Sequence, residues 1–307
     1  MRDTFIRILT QAARDDERIC LVTGDLGFGV LKPFWEAVPN QFFNAGIAEQ
    51  NMAAVAAGMA LEGRIVCTYS IGGFPSLRCL EQIRNDCAYH KANVKIVCVG
   101  AGLAYGPLGM SHHATEDLAV LRALPWVTIF SPADRLETEA VTKAMLAMPG
   151  TCYLRLGRGG EAPVRERLET FTVGRALPVL GGVVADVAVF ATGAIASEAR
   201  KACEILIQQG INVCLHTFPT IRPLDRELIL VCAATARLVV TCEEHGISGG
   251  FGGAVAEVMA ESPGHASLLR LGLNGTYCSL VGSQNYLREQ YGLSAESMAA
   301  RILERLS

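Results

Sequence analysis

FFNAGIAEQNMAAVAAGMALEGRIVCTYS, residues 42–70, decides how the chain is read. Phe42 to Gly46 is a short apolar run that ends in a turn residue. Ala48 to Leu61 is rich in Ala, Met and Leu, which are good helix formers. Ile65 to Tyr69 is apolar and β-branched at Ile65, Val66 and Thr68, as buried strands are. The order is strand, turn, helix, strand. Glu49 falls in the first turn of the helix, where the dipole favours a carboxylate. Two readings of it stand side by side: a residue that starts the helix, and a site carboxylate at a strand end, where α/β proteins place their ligands. The helix behind it is almost uncharged and so predicted to be buried, and a carboxylate at its mouth needs a partner.

The same alternation extends outward in both directions. Helices are predicted over Arg2–Arg14, Ser76–Tyr89, Thr115–Ala123 and Arg135–Met148. Strands are predicted over Ile19–Thr23, Val94–Gly100, Val127–Phe130 and Cys152–Leu156. From Gly159 to Ala185 the periodicity fades into a linker with room for a strand. A second α/β unit starts at Asp186, with strands at 187–193, 211–217, 238–245 and 267–273 and a helical tail from Asn285. Long helices between apolar strands imply parallel sheets covered on both faces. The expectation is α/β with two doubly wound domains, residues 1–165 and 186–307, joined by a linker at 166–185.

Composition narrows the function classes. With 307 residues, 50% of them hydrophobic and 19% charged, two cores and a buried subunit interface can be built. A net charge of −3 gives no reason to expect nucleic acid or an anionic membrane as partner. Eleven cysteines lie scattered without a CxxC, which reads as buried thiols in a reducing cytoplasm and not as disulfides or a zinc site. MRDTFIRIL begins an amphipathic helix and not a signal peptide, and no apolar run reaches the roughly 20 residues of a membrane span. The turn GDLGFG after the first strand lacks both GxGxxG and the Walker pattern. Asp25 in that turn is a site residue or a turn former.

GIAEQNM, the GPLGMSHHATEDLAVLRALP run from Gly106 to Pro125 and the SPAD that follows resemble thiamine-diphosphate enzymes of the transketolase and deoxyxylulose-phosphate synthase group. The resemblance covers nearly the whole chain and is weaker in the last third. It implies a pyrimidine-binding domain followed by a transketolase C-terminal-like domain. By resemblance, Glu49 is the catalytic carboxylate set against the aminopyrimidine ring. Phe74 falls at the first of a series of aromatic positions that wall the pyrimidine slot, while Leu77 and Leu80 stand where aromatics are usual. Tyr69 and Phe74 are candidate walls, with Leu77 beside them; the other reading makes the aromatics ordinary core residues. His112 matches a histidine that contacts substrate and intermediates, and His113 replaces a glutamine. Arg155 matches an arginine that holds a sugar phosphate, a task that suits a guanidinium fork; the alternative is a strand-end arginine. Glu243, Glu244 and His245 read as structural groups before a Gly-rich turn.

Three departures shape the functional expectation. Ala101 replaces an aspartate near the substrate hydroxyl, and Pro107 and Leu108 replace an acidic pair, which unsettles an ordinary ketose-phosphate substrate. No GDG metal motif occurs in the sequence, and the chain is about half a transketolase in length. The resemblance therefore implies a split enzyme, in which a separate N-terminal subunit holds the diphosphate with Mg²⁺ or Ca²⁺ and this chain is β of an α2β2 heterotetramer. The expected reaction is transfer of a two-carbon ketol unit from a ketose or its phosphate to an aldose. The alternatives are a decarboxylating transferase acting on a 2-oxo acid and a non-catalytic subunit.

Overall fold

A computed structural model describes residues 1–168, 170–262 and 264–307. The first unit runs α1 Arg2–Asp15, β1 Ile19–Thr23, α2 Phe28–Ala37, β2 Phe42–Asn44, α3 Glu49–Leu61, β3 Ile65–Ile71, α4 Leu80–Gln82, β4 Val94–Val99, α5 Asp117–Arg122, β5 Val127–Phe130, α6 Arg135–Ala147 and β6 Thr151–Leu156. The second runs β7 Leu177–Leu180, β8 Val187–Ala191, α7 Ala196–Gln208, β9 Val213–Thr217, β10 Thr220–Arg222, α8 Arg226–Thr235, β11 Leu238–Gly246, α9 Phe251–Ala260, β12 Ser267–Leu273, α10 Gln284–Gln290 and α11 Ala295–Leu306.

Two sheets organise these elements, in the orders β10-β5-β6-β4-β3-β1-β2 and β12-β11-β8-β9-β7. All pairings are parallel except those of β10 with β5 and of β7 with β9. Strands β1, β4, β6 and β8 are buried at every position, as parallel strands covered on both faces must be. Helix α3 buries Met52, Ala53, Ala56, Ala57 and Ala60. Its alanines let the backbone lie close to the sheet, so Glu49 at its first turn is held at the carboxyl edge of β1 and β3.

The two-unit α/β fold agrees with the expectation, and three details differ from it. Helix α2 is new; Pro33 inside it and the Gly-rich turn before it hide its period. The helix expected over 76–89 begins only at Leu80 and passes into a π-helical turn over Ile83–Ala88, because a series of turns holds residues 72–79. Strand β7 takes up the room for a strand in the expected linker and closes the edge of the second sheet. Strand β10, from the second half of the chain, closes the edge of the first sheet instead. The two units are thereby interlocked and not merely tethered.

Candidate active site

The loops that leave the carboxyl ends of β1 and β3 meet at Glu49, and the loop after β4 joins them through His112. Gly24 backs its side chain: a Cβ there would sit 3.2 Å from Glu49 Cγ. The carboxylate is 2% exposed. Ser70 Oγ donates to Oε1 over a long 3.4 Å, and Arg78 Nη1 donates to Oε2 at 2.6 Å. Burial of an ion is tolerated only with such partners. Arg78 itself is half-exposed and reaches in from the turns after β3. Its guanidinium lies 4.3 Å from the centre of the Phe74 ring, a cation–π contact. The His112 ring meets Phe74 edge-on at 5.3 Å. Glu49, Arg78, Phe74 and His112 thus form one row across the sheet edge.

Gly72 makes the row possible. It has φ +56, and a Cβ on it would fall 2.4 Å from the His112 carbonyl oxygen. Only glycine combines that conformation with so close an approach. Asp25 follows Gly24, which backs Glu49, and is exposed and left-handed at φ 57. Asn44 Nδ2 donates to its carboxylate at 2.9 Å, and its own backbone N–H donates to Asn44 Oδ1. Its turn role is therefore visible in the structure, and its open carboxylate faces solvent at the same edge. Leu77 is exposed on the loop that carries Arg78.

Three expected site residues lie elsewhere. Successive side chains of a strand face opposite ways, so with Ser70 turned to Glu49, Tyr69 points to the far side of the sheet. There its ring stacks on Phe5 at 6.4 Å, and it serves as a core aromatic and not as a wall of the row. His113 turns inward and is 3% exposed, and among the described residues neither of its ring nitrogens is hydrogen-bonded. Burial lowers its pKa. Arg155 is 2% exposed, inside the protein. Its Nε donates to Asp117 Oδ2 at 2.8 Å, and its Nη2 donates to the carbonyls of Ala114 and Glu244. Two of its three nitrogens are thus committed to a buried ion pair and to backbone carbonyls, the arrangement of a structural arginine.

The Arg155 network explains the Glu243-Glu244-His245 run. Glu243 accepts from the Phe251 and Gly252 amides at the start of α9. Glu244 accepts from the Leu103 amide, Gln284 and Arg288. His245 Nε2 stands 3.7 Å from Asp117 Oδ1, and burial drives the imidazole pKa down to about 4. Glu244 and His245 reach across to the first unit, while Glu243 caps α9 within its own, the structural roles that the sequence reading gave the run. Arg78 was not anticipated, although it is the only charged residue between Ser70 and Leu80. A lone cation in an apolar loop beside a candidate carboxylate is the signal that could have found it.

Fold and row together define a class: an α/β protein that offers one face of a ligand site at the carboxyl edge of a parallel sheet, with a second α/β unit locked behind it. The comparisons make the class specific. Residues 1–160 match the transketolase pyrimidine-binding domain, and residues 183–298 match the transketolase C-terminal domain. A transketolase C-terminal section from Methanocaldococcus jannaschii is 38% identical over the whole chain and 96% of its own length. A 6-deoxy-6-sulfo-D-fructose transketolase subunit from a Clostridium species is 34% identical over 99% of the chain and 95% of its own length. A solved split-gene transketolase, described as an inactive β4 tetramer, superposes with a TM-score of 0.87 at 34% identity, covering 99% of this chain and 96% of its own. The chain belongs to the transketolase family, whose enzymes depend on thiamine diphosphate, and it is an enzyme subunit of the transferase class. Among the described residues no helix is long and apolar enough to cross a membrane.

Proposed function

We propose that this chain is the C-terminal, β-type subunit of a split transketolase. It transfers a two-carbon ketol unit from a ketose or ketose phosphate to an aldose, and it works only with a separate diphosphate-binding subunit. The observation that carries this reading is the state of Glu49: a buried carboxylate at a sheet edge whose one short contact is to a half-exposed arginine. The residues fit one half of a thiamine diphosphate site. Glu49 would face the pyrimidine ring nitrogen N1′, Phe74 would offer its ring face or edge, and His112 stands at the rim. When bound, the cofactor supplies a stabilised carbanion, so the carbon–carbon chemistry is its own. Glu49 holds and returns a proton at N1′, a task that a desolvated carboxylate performs well. His112 donates a hydrogen bond to the oxygen on which charge develops in the substrate.

The other half of the site has no residues in this sequence, since GDG does not occur. Mg²⁺ or Ca²⁺ and the diphosphate belong to the partner, in an α2β2 assembly. Exposed Phe28, Phe43, Ile47, Leu77, Leu108 and Met110, carried on the start of α2, on β2 and on the loops after β2 to β4, support a docking surface around Glu49. The inactive β4 form of the split-gene relative supports the same view. One specific observation favours a second reading. Ala101 replaces an acidic position, and 1-deoxy-D-xylulose-5-phosphate synthase from Heliobacterium modesticaldum is 34% identical over 99% of the chain, which spans 46% of that enzyme. A decarboxylating donor such as a 2-oxo acid fits that loss.

The test is reconstitution. The chain is combined with a candidate subunit that carries GDG, and two-carbon transfer is assayed with ketose phosphates and with a 2-oxo acid. Turnover by the pair, reduced about 10²–10⁴-fold by Glu49→Gln, is the expected result. Robust turnover by the pure single chain would sink the proposal.

A further inference from the structure

The second unit carries a cluster of a different kind. Cys214 and His216 are two residues apart on β9 and therefore share a face. Cys232 comes from α8, which covers that face. One potential ligand atom from each of the three lies within 4.8 Å of the other two. All three residues are buried, with His216 only 4% exposed. His216 Nδ1 is buried and makes no hydrogen bond among the described residues. A buried imidazole nitrogen without a partner loses its hydration for nothing in return, unless something outside the hydrogen-bond inventory takes its lone pair. The Phe190 ring meets the imidazole edge-on at 6.4 Å.

The sequence hides this set, because one strand pair and one helix residue make no CxxC pattern. The chemistry of the donors is nonetheless selective. Two thiolates and a neutral imidazole suit thiophilic, borderline-soft cations and disfavour Mg²⁺ or Ca²⁺. Two thiolate charges also cancel those of a divalent ion, which a dry pocket requires.

We propose that Cys214, His216 and Cys232 form a structural site for one d¹⁰ thiophilic cation, Zn²⁺ or Cu⁺, within the C-terminal unit. The site is separate from the Glu49 row and lies against the other sheet. Binding of Zn²⁺ replaces the two thiol protons, which leave to solvent, by two metal–sulfur bonds and one metal–nitrogen bond; Cu⁺ displaces one proton, with the second sulfur bound as a neutral thiol, so either complex is uncharged.

The full chain is purified metal-free under reducing conditions and titrated with Co²⁺ as a spectroscopic stand-in for Zn²⁺, then with Zn²⁺ in competition. Cu⁺ is titrated separately against a chromogenic chelator. Uptake of one ion per chain, with thiolate-to-cobalt charge-transfer absorption and a higher unfolding temperature, is expected. Displacement of cobalt by Zn²⁺ assigns zinc, and retention of Cu⁺ against the chelator without zinc uptake assigns copper. The paired variant Cys214→Ser/Cys232→Ser should lose the binding, while Cys203→Ser, at another buried cysteine, should keep it. Should the paired variant not fold, X-ray absorption of the loaded wild type decides: a shell of two sulfurs and one nitrogen supports the site. Absence of stoichiometric uptake, uptake without thiolate bands, an oxygen-dominated shell, or binding retained by the folded paired variant would overturn it.

Discussion

Replacing Arg155 by methionine separates two roles by their thermodynamic signatures. The guanidinium donates to Asp117 at 2.8 Å and to the Ala114 and Glu244 carbonyls at 2.6 and 3.1 Å, with both members of the ion pair essentially inaccessible. Methionine fills much of the volume but leaves the Asp117 carboxylate with the Tyr153 hydroxyl as its hydrogen-bond donor. Breaking a buried pair in this way costs about 3–5 kcal/mol. At about 2.1 cal/mol/K per residue, 307 residues have an unfolding entropy near 0.65 kcal/mol/K. The predicted loss in Tm is therefore about 5–8 °C. The assay is thermal and urea unfolding of the full chain, wild type against Arg155→Met, Asp117→Asn and the double variant. The double variant should recover part of the loss, because no orphaned charge remains. Wild-type stability in Arg155→Met, together with a raised KM for a phosphorylated donor, would refute the reasoning and restore the phosphate role.

Other perturbations probe the remaining links. The His245 pKa is held near 4, below the ordinary 6.5, because burial disfavours the charged ring. Its contribution to stability is present above about pH 6.5 and is lost as the pH falls toward 4, by up to about 3 kcal/mol. The stability difference between wild type and His245→Gln should shrink accordingly over that window in urea titrations; a pH-independent difference would contradict it. Phe74→Ala removes the ring between Arg78 and His112 while leaving the core intact, and should weaken thiamine diphosphate binding by the assembled enzyme about tenfold with little change in Tm. Ile47→Glu, at a side chain 79% exposed on the rim, should abolish assembly with the partner in sedimentation while leaving the circular dichroism of the single chain unchanged.

The elements that proved legible were those with a strong local period. Ile19–Thr23, Val94–Val99 and Val187–Ala191 are continuous apolar runs, and parallel strands buried on both faces have no other way to look. Glu49 stood out because a single charge opens an otherwise uncharged helix. Pairings between distant segments were hidden. Three residues of β10 cannot announce that they will cross to the first sheet. Arg155 looked available because a strand-end arginine is usually exposed; Asp117, from a helix 38 residues earlier, buries it. Arg78 acquired its role from the turns over 72–79, which bring it back on Glu49, and periodicity carries no information about such a path. Tyr69 and Ser70 show the finer limit: the strand was evident, but which of its faces meets α3 depends on register.

The central claim is that this chain holds half of a thiamine diphosphate site. Calorimetric titration of the cofactor with Mg²⁺ tests it most directly, into this chain, into the candidate diphosphate-binding subunit and into their mixture, each with wild type and Glu49→Gln. The account predicts saturable binding by the mixture only, at one site per pair of chains, with turnover lost in the Gln variant. Tight binding and turnover by this chain alone would contradict it.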